Sequence, residues 1–125
     1  MNEVAQLSDI KKLQSMMLNV EQAELETRHH FTDGMYAREL FIPAGVCLVG
    51  ATHKTTHFFT VVRGKCRIAT TSGNEEVSAP YMGETVPGTK RVIYAETDCV
   101  IMSFHPTTLT DLDEIERLLL EPEDI

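Results

Sequence analysis

His53 and His57 stand four residues apart in the stretch "GATHKTTHFF", in a chain of 125 residues that has only five histidines. Neutral imidazole nitrogens bind Zn, Fe, Ni or Mn, and two of them side by side need a third donor to make a site. His105, at the end of "CVIMSFH", is the candidate third ligand. Arg91, in "PGTKRVIYA", brings a different chemistry. Its planar cation grips a carboxylate or phosphate through two hydrogen bonds, and it disfavours a second cation nearby. Lys90, Tyr94 and Tyr36 complete the candidate ligand-binding set. Lys90 would set the potential of the site, and the tyrosines would pack with their hydroxyls wet. Two readings of one place follow: a divalent metal on His53, His57 and His105, and a small anionic ligand at Arg91. No carboxylate is placed as a general acid or base, so no catalytic residue is assigned.

Short elements must position these residues. From Tyr36 to His105 the chain breaks into "YARELFI", "VCLVGA", "HFFTVV", "KCRIAT", "EEVSA", "ETVP", "RVIYA" and "CVIMSFH". The turn signals "PAG", "HKTT", "RGK", "TSGN", "PYMG", "PGTK" and "ETD" separate them. Many short β-branched and aromatic runs at this spacing predict a mostly β protein, a single antiparallel jelly-roll barrel over 36–105. Within a helical N-terminal segment, 1–28, Ile10, Leu13, Met17 and Val20 repeat at helical spacing, with Ser8 or Asp9 as N-cap. "TDLDEIERLLLEPEDI" predicts a C-terminal helix over 108–121, capped by Thr110 and stopped by Pro122. The whole chain, 1–125, then forms one domain. A hairpin around "HKTT" would set His53 beside His57. A second, around "ETD", would set Arg91 opposite Ser103 and Thr89 opposite His105.

Composition narrows the function classes. The net charge is −8, and the basic residues are scattered apart from "TKR" at 89–91, so generic nucleic-acid binding is excluded. No apolar run reaches the ~18 residues of a membrane helix, and the N-terminus lacks a signal-peptide layout, so a cytoplasmic protein without a membrane partner is expected. Cys47, Cys66 and Cys99 form no CxxC pair and read as free buried thiols. His29 and His30 precede the strand region and are assigned surface or hydrogen-bonded core roles.

"PAGVCLVGATHKTTHFFTVVRGK" resembles the first cupin motif, and "PYMGETVPGTKRVIY" the second. With Gly64 aligned, His53 matches the second histidine of the family's first motif, His57 takes the place of its glutamate, and Ala51 falls where its first histidine stands. With Pro87 and Gly88 aligned, Arg91 falls where the last histidine stands. The blocks "HHFTDGMYAREL", "IPAG", "HKT" and "PGTKR", and the late histidine followed by "TLTDLDEIE", are also similar to small single-domain cupin-like proteins of bacteria and their phages. That likeness spans residues 25 to 117 and implies a fold rather than an activity.

Two function classes are therefore carried forward. One is a metal-dependent enzyme acting on a small polar substrate. The other is a non-catalytic binding, assembly or host-interaction module. The apolar N-terminal stripe further predicts a homodimer in which that segment or the first strand crosses to the partner.

Overall fold

Runs of four to eight residues punctuated by Gly, Pro and Asp cannot propagate into long elements. In the computed structural model, which describes residues 6–20, 22 and 24–124, they fold as nine antiparallel strands between two helices. Helix α1 spans Leu7–Met17. The strands are β1 Thr27–Thr32, β2 Met35–Ile42, β3 Cys47–Val49, β4 His57–Arg63, β5 Lys65–Thr70, β6 Gly73–Ser78, β7 Tyr81–Thr85, β8 Val92–Ala95 and β9 Cys99–Pro106. Helix α2 spans Leu112–Leu119, followed by a short 3-10 turn, Pro122–Asp124.

The strands form a five-stranded sheet, β1-β2-β9-β4-β7, facing a four-stranded sheet, β3-β8-β5-β6. This is the jelly-roll arrangement, open along its edges rather than closed into a barrel. Inward positions of both sheets build the core, with Ile42, Phe59, Val61, Cys66, Ile68, Val77, Ile93 and Ile101 among its members.

Two expected hairpins are corners instead. β3 and β4 lie in different sheets, as do β8 and β9, so "HKTT" and "ETD" carry the chain across the sandwich. Arg91 is therefore not opposite Ser103, whose cross-strand partners are Arg38 and Phe59. Side chains bind the second corner to its neighbours: Ala44 N donates to Asp98 Oδ1 at 2.9 Å, and Lys65 N to Thr97 Oγ1 at 2.9 Å. The facing corner must be glycine. Gly64 has φ +87°, and a Cβ there would lie 2.2 Å from the Asp98 carbonyl oxygen.

Other boundaries shift for identifiable reasons. β1 occupies residues placed at the end of the helical segment and just beyond it; it pairs with β2 across the Asp33–Gly34 turn, where Gly34 has φ +78°. In "PYMG" only Pro80 lies in a bend; Tyr81–Gly83 is strand, where Gly83 lets the Phe59 ring of the neighbouring strand lie against bare backbone. Gln6, not Ser8 or Asp9, caps α1, its backbone N–H bonding Asp9 Oδ2 at 3.2 Å. Asp111, not Thr110, caps α2 by accepting from Asp113 N at 2.9 Å. Of the predicted apolar stripe only Ile10 is buried, and Val20 lies beyond the helix. Cys66 and Cys99 are buried free thiols, whereas Cys47 is exposed on a three-residue strand.

Gly64→Ala should destabilise the fold by about 2 kcal/mol or more, because strain and a backbone clash add. Gly45→Ala, also at positive φ but with open space around it, should cost about 1 kcal/mol. Urea unfolding of the two variants checks the order.

Candidate functional site

Strand alternation and register place one row of side chains across the inner face of the five-stranded sheet. Phe31 pairs with Tyr36, and Tyr36 with His105. One step beyond the Phe58–Phe104 pair, His57 reaches the His105 ring. The rings touch in sequence: Phe31–Tyr36 at 5.2 Å between centroids, Tyr36–His105 at 5.7 Å, His105–His57 at 4.3 Å and His57–His53 at 4.8 Å. His29 stacks on the other side of Tyr36 at 5.8 Å, and its Nδ1 shares a 2.7 Å hydrogen bond with the Tyr36 hydroxyl.

His53 arrives from outside the strands. Its N–H donates to the Thr89 carbonyl at 3.0 Å, and its own carbonyl accepts from Gly88 N at 2.8 Å. The Pro87–Gly88 turn is thus what fixes it. The C-terminal tail fixes the same segment from the other side. Lys54 N donates to Leu119 O at 2.7 Å, Glu121 N to Thr52 O at 2.9 Å, and Thr52 N to Asp124 Oδ2 at 2.8 Å. Asp124 Oδ1 in turn accepts from Lys90 Nζ at 2.9 Å, and the Lys90 side chain is 0% exposed. Lys90 therefore anchors the tail instead of facing a ligand.

Helix α2 roofs the row. Ile115 and Leu119, four apart on one face, pack on Tyr36. Beneath them lies a cavity of about 230 Å³, walled by Arg38, His53, Ser103 and His105 on the sheet side and by Leu112 and Ile115 on the helix side. This burial sets the electrostatics. Desolvation, with smaller contributions from His57, Arg91 and Arg38, pushes His53 down to about 4. Desolvation, then His57, His53 and Arg38, pushes His105 down to about 3. Burial also lowers His57, outweighing its hydrogen bond to the Thr55 carbonyl at 3.3 Å. Burial raises Tyr36, so its phenol stays protonated. At neutral pH the row from Tyr36 to His53 is three uncharged imidazoles and a phenol.

Such a donor set suits a divalent transition metal. The Thr55 carbonyl accepts from His57 Nδ1, which leaves its Nε2 lone pair free. His105 Nε2 shares a 2.9 Å hydrogen bond with Ser103 Oγ, and the buried Nδ1 atoms of His105 and His53 have no partner. The rings stand in a row rather than around a point. Among the described residues no group of three or more His, Cys, Asp or Glu is already disposed as a metal shell, so binding requires the imidazoles to turn.

The other predicted residues separate. Arg91 reaches away from the row: its Nη2 donates to Thr85 Oγ1 at 2.6 Å, and its guanidinium lies over the Phe59 ring at 4.3 Å. Tyr94 is exposed on the outer face of the four-stranded sheet, beside Arg67, because Cys66 and Ala95 take the inward positions. Arg38 and Thr55 join the site without having been singled out by type or spacing, and Ser103, expected opposite Arg91, joins it opposite Phe59. Register with His29 and Phe59 reveals Arg38 and Ser103, and the hydrogen bond to His57 reveals Thr55.

The overall shape has known counterparts. A cupin-2 domain protein from Shewanella frigidimarina matches at a TM-score of 0.54 with 18% identity, covering 76% of this chain and 92% of that one. Ectoine synthase from P. lautus matches at 0.62 with 13% identity, over 78% of this chain and 75% of that one. Salicylate 1,2-dioxygenase from Pseudaminobacter salicylatoxidans matches at 0.63 with 12% identity, over 90% of this chain but 34% of that longer one. The fold is cupin-like. No protein-family model matches the sequence, and no curated protein does. No helix among the described residues is long and apolar enough to cross a membrane.

Asp124→Asn preserves shape but leaves the buried Lys90 ammonium without a counter-charge. It should destabilise the protein by about 3 kcal/mol in urea, and Lys90→Met combined with Asp124→Leu should recover most of that loss.

Proposed function

We propose that the chain is a cupin-like small-molecule-binding module whose inner histidine row takes up one divalent transition metal. The observation that supports this most is the pair of buried, unpartnered ring nitrogens, His53 Nδ1 and His105 Nδ1, within a run of three touching neutral imidazoles. His53, His57 and His105 would hold the ion. Thr55 would orient His57 through its carbonyl, as backbone groups do behind metal-binding histidines. The metal would supply a Lewis acid at the wall of the α2-covered cavity. Arg38 and the His29–Tyr36 pair would orient a small polar ligand there. A second reading, a metal-dependent enzyme on a small polar substrate, rests on that same pair, whose hydrogen-bonded hydroxyl is placed to move a proton beside the cavity.

Protein purified without a histidine tag and stripped with EDTA is the test material. Calorimetric titration with Zn²⁺ should saturate at one ion per chain. His53→Ala and His105→Ala should each weaken binding by more than about 100-fold, while Tyr94→Ala on the outer face should leave it unchanged. No heat on titration, or wild-type affinity in both histidine variants, would refute the reading.

Self-association is the second part of the proposal. Phe58, Val62 and Met82 lie exposed on the outer face of the five-stranded sheet, and Met16 and Leu18 at the end of α1. A second copy of the chain would cover such apolar surface. Light scattering at micromolar concentration should give twice the 14.0 kDa chain mass; a monomer would contradict this.

A further inference from the structure

We infer that the sandwich holds a second ligand site, around Arg91 and separate from the histidine row, and that its ligand is a small monocarboxylate with a short apolar body. The starting point is a cation without a counter-charge. Arg91 is half-buried, and among the described residues no Asp or Glu lies within ion-pair distance of it. Its guanidinium offers five N–H donors, and one side-chain acceptor, Thr85 Oγ1, is supplied. The group lines a cavity of about 210 Å³. Burying a charge is costly unless something pairs it, and here none of the described residues does.

The guanidinium is also held in place. It rests on the Phe59 ring, and that ring is seated on Gly83, where a Cβ would lie 2.5 Å from it. Thr85, fully buried, fixes one end of the fork. Desolvation lowers Arg91 to about 10, which leaves it charged at neutral pH. A rigid, desolvated fork with free donors matches the two oxygens of a carboxylate.

The site is distinct from the first. None of the histidines lines this cavity, and Thr85, the cross-strand partner of His57, stands between the two. The surroundings also select among anions. Glu75 and Glu84 line the same cavity, and Glu75 accepts from the Tyr81 hydroxyl at 2.9 Å, within a chain of net charge −8. One arginine against that background favours a monoanion over phosphate. Phe59 and Ile68 supply apolar wall for a body of a few carbons.

Chemical-shift titration of EDTA-stripped, ¹⁵N-labelled protein with benzoate, benzamide and inorganic phosphate tests this. Benzoate should bind, with shifts centred on residues 68, 81, 83 and 91, and both benzamide and phosphate should bind at least about tenfold more weakly. Arg91→Gln should weaken benzoate by a similar factor. The titration uses metal-free protein, so the result stands whether or not the histidines bind metal. Benzamide or phosphate binding as tightly as benzoate would overturn the proposal. So would benzoate shifts centred on His53 and His105, or undiminished benzoate binding by folded Arg91→Gln protein. The benzoate–benzamide comparison uses wild-type protein alone, so it decides the matter if that variant fails to fold.

Discussion

The burial of the Tyr36 end of the inner sheet face under α2 is the constraint on which the site depends. An antiparallel sheet can leave one face wet, and an uncovered row of Tyr36, His105 and His57 would be solvated, with imidazoles titrating near their usual value. Ile115 and Leu119 remove that option. Desolvation then penalises the imidazolium forms, the charges of Arg38 and Arg91 reinforce the effect, and neutral nitrogens remain. The chemistry available to the cavity is thus set largely by the apolar face of a helix.

The roof stays closed because the tail is tied down by more than apolar contact. Backbone bonds from Lys54 and Glu121, together with the Lys90–Asp124 ion pair, join the last described residues to the segment that carries His53. That segment is also held by the Pro87–Gly88 turn. The loop before β4, the loop before β8 and the C-terminus therefore meet at one place. Arg91 leaves the same turn in the opposite sense and builds a separate environment on Phe59. Two neighbouring residues, Lys90 and Arg91, so end in different roles: one neutralised by a carboxylate, one left without.

The element content was readable from the sequence because strand and helix periodicities are local. Seven of the eight strand runs fall on strands β2 to β6, β8 and β9, and the helical ends are present. What failed was pairing. "HKTT" and "ETD" look like hairpin turns locally, yet whether a turn folds a strand back or carries it to the facing sheet depends on contacts such as Gly64 against Asp98, more than thirty residues apart. The meeting of His53, His57 and His105 was anticipated, but from the wrong hairpins: His105 reaches His57 through the β4–β9 pairing and not through the strand that follows Arg91. Lys90 was misplaced because its partner Asp124 is remote in sequence, and Tyr94 because alternation with the inward Ala95 turns it outward. Asp33–Gly34 was a legible hairpin signal; Ser103 was set on the site face by the wrong pairing, and Arg38 carried no signal, since only long-range register gives it meaning.

Imidazole nitrogen shifts of the metal-free protein, followed by NMR from pH 7.5 to 4, test the account most directly. A folded-state pKa below the ordinary value of about 6.5 means that protons bind later on acidification. His53 and His105 should therefore keep the split nitrogen shifts of neutral rings at pH 5.5, where an ordinary histidine is mostly charged, and begin to titrate only near pH 4. If both rings collapse to the imidazolium pattern with midpoints near 6.5, the row is not desolvated beneath α2, and the account fails.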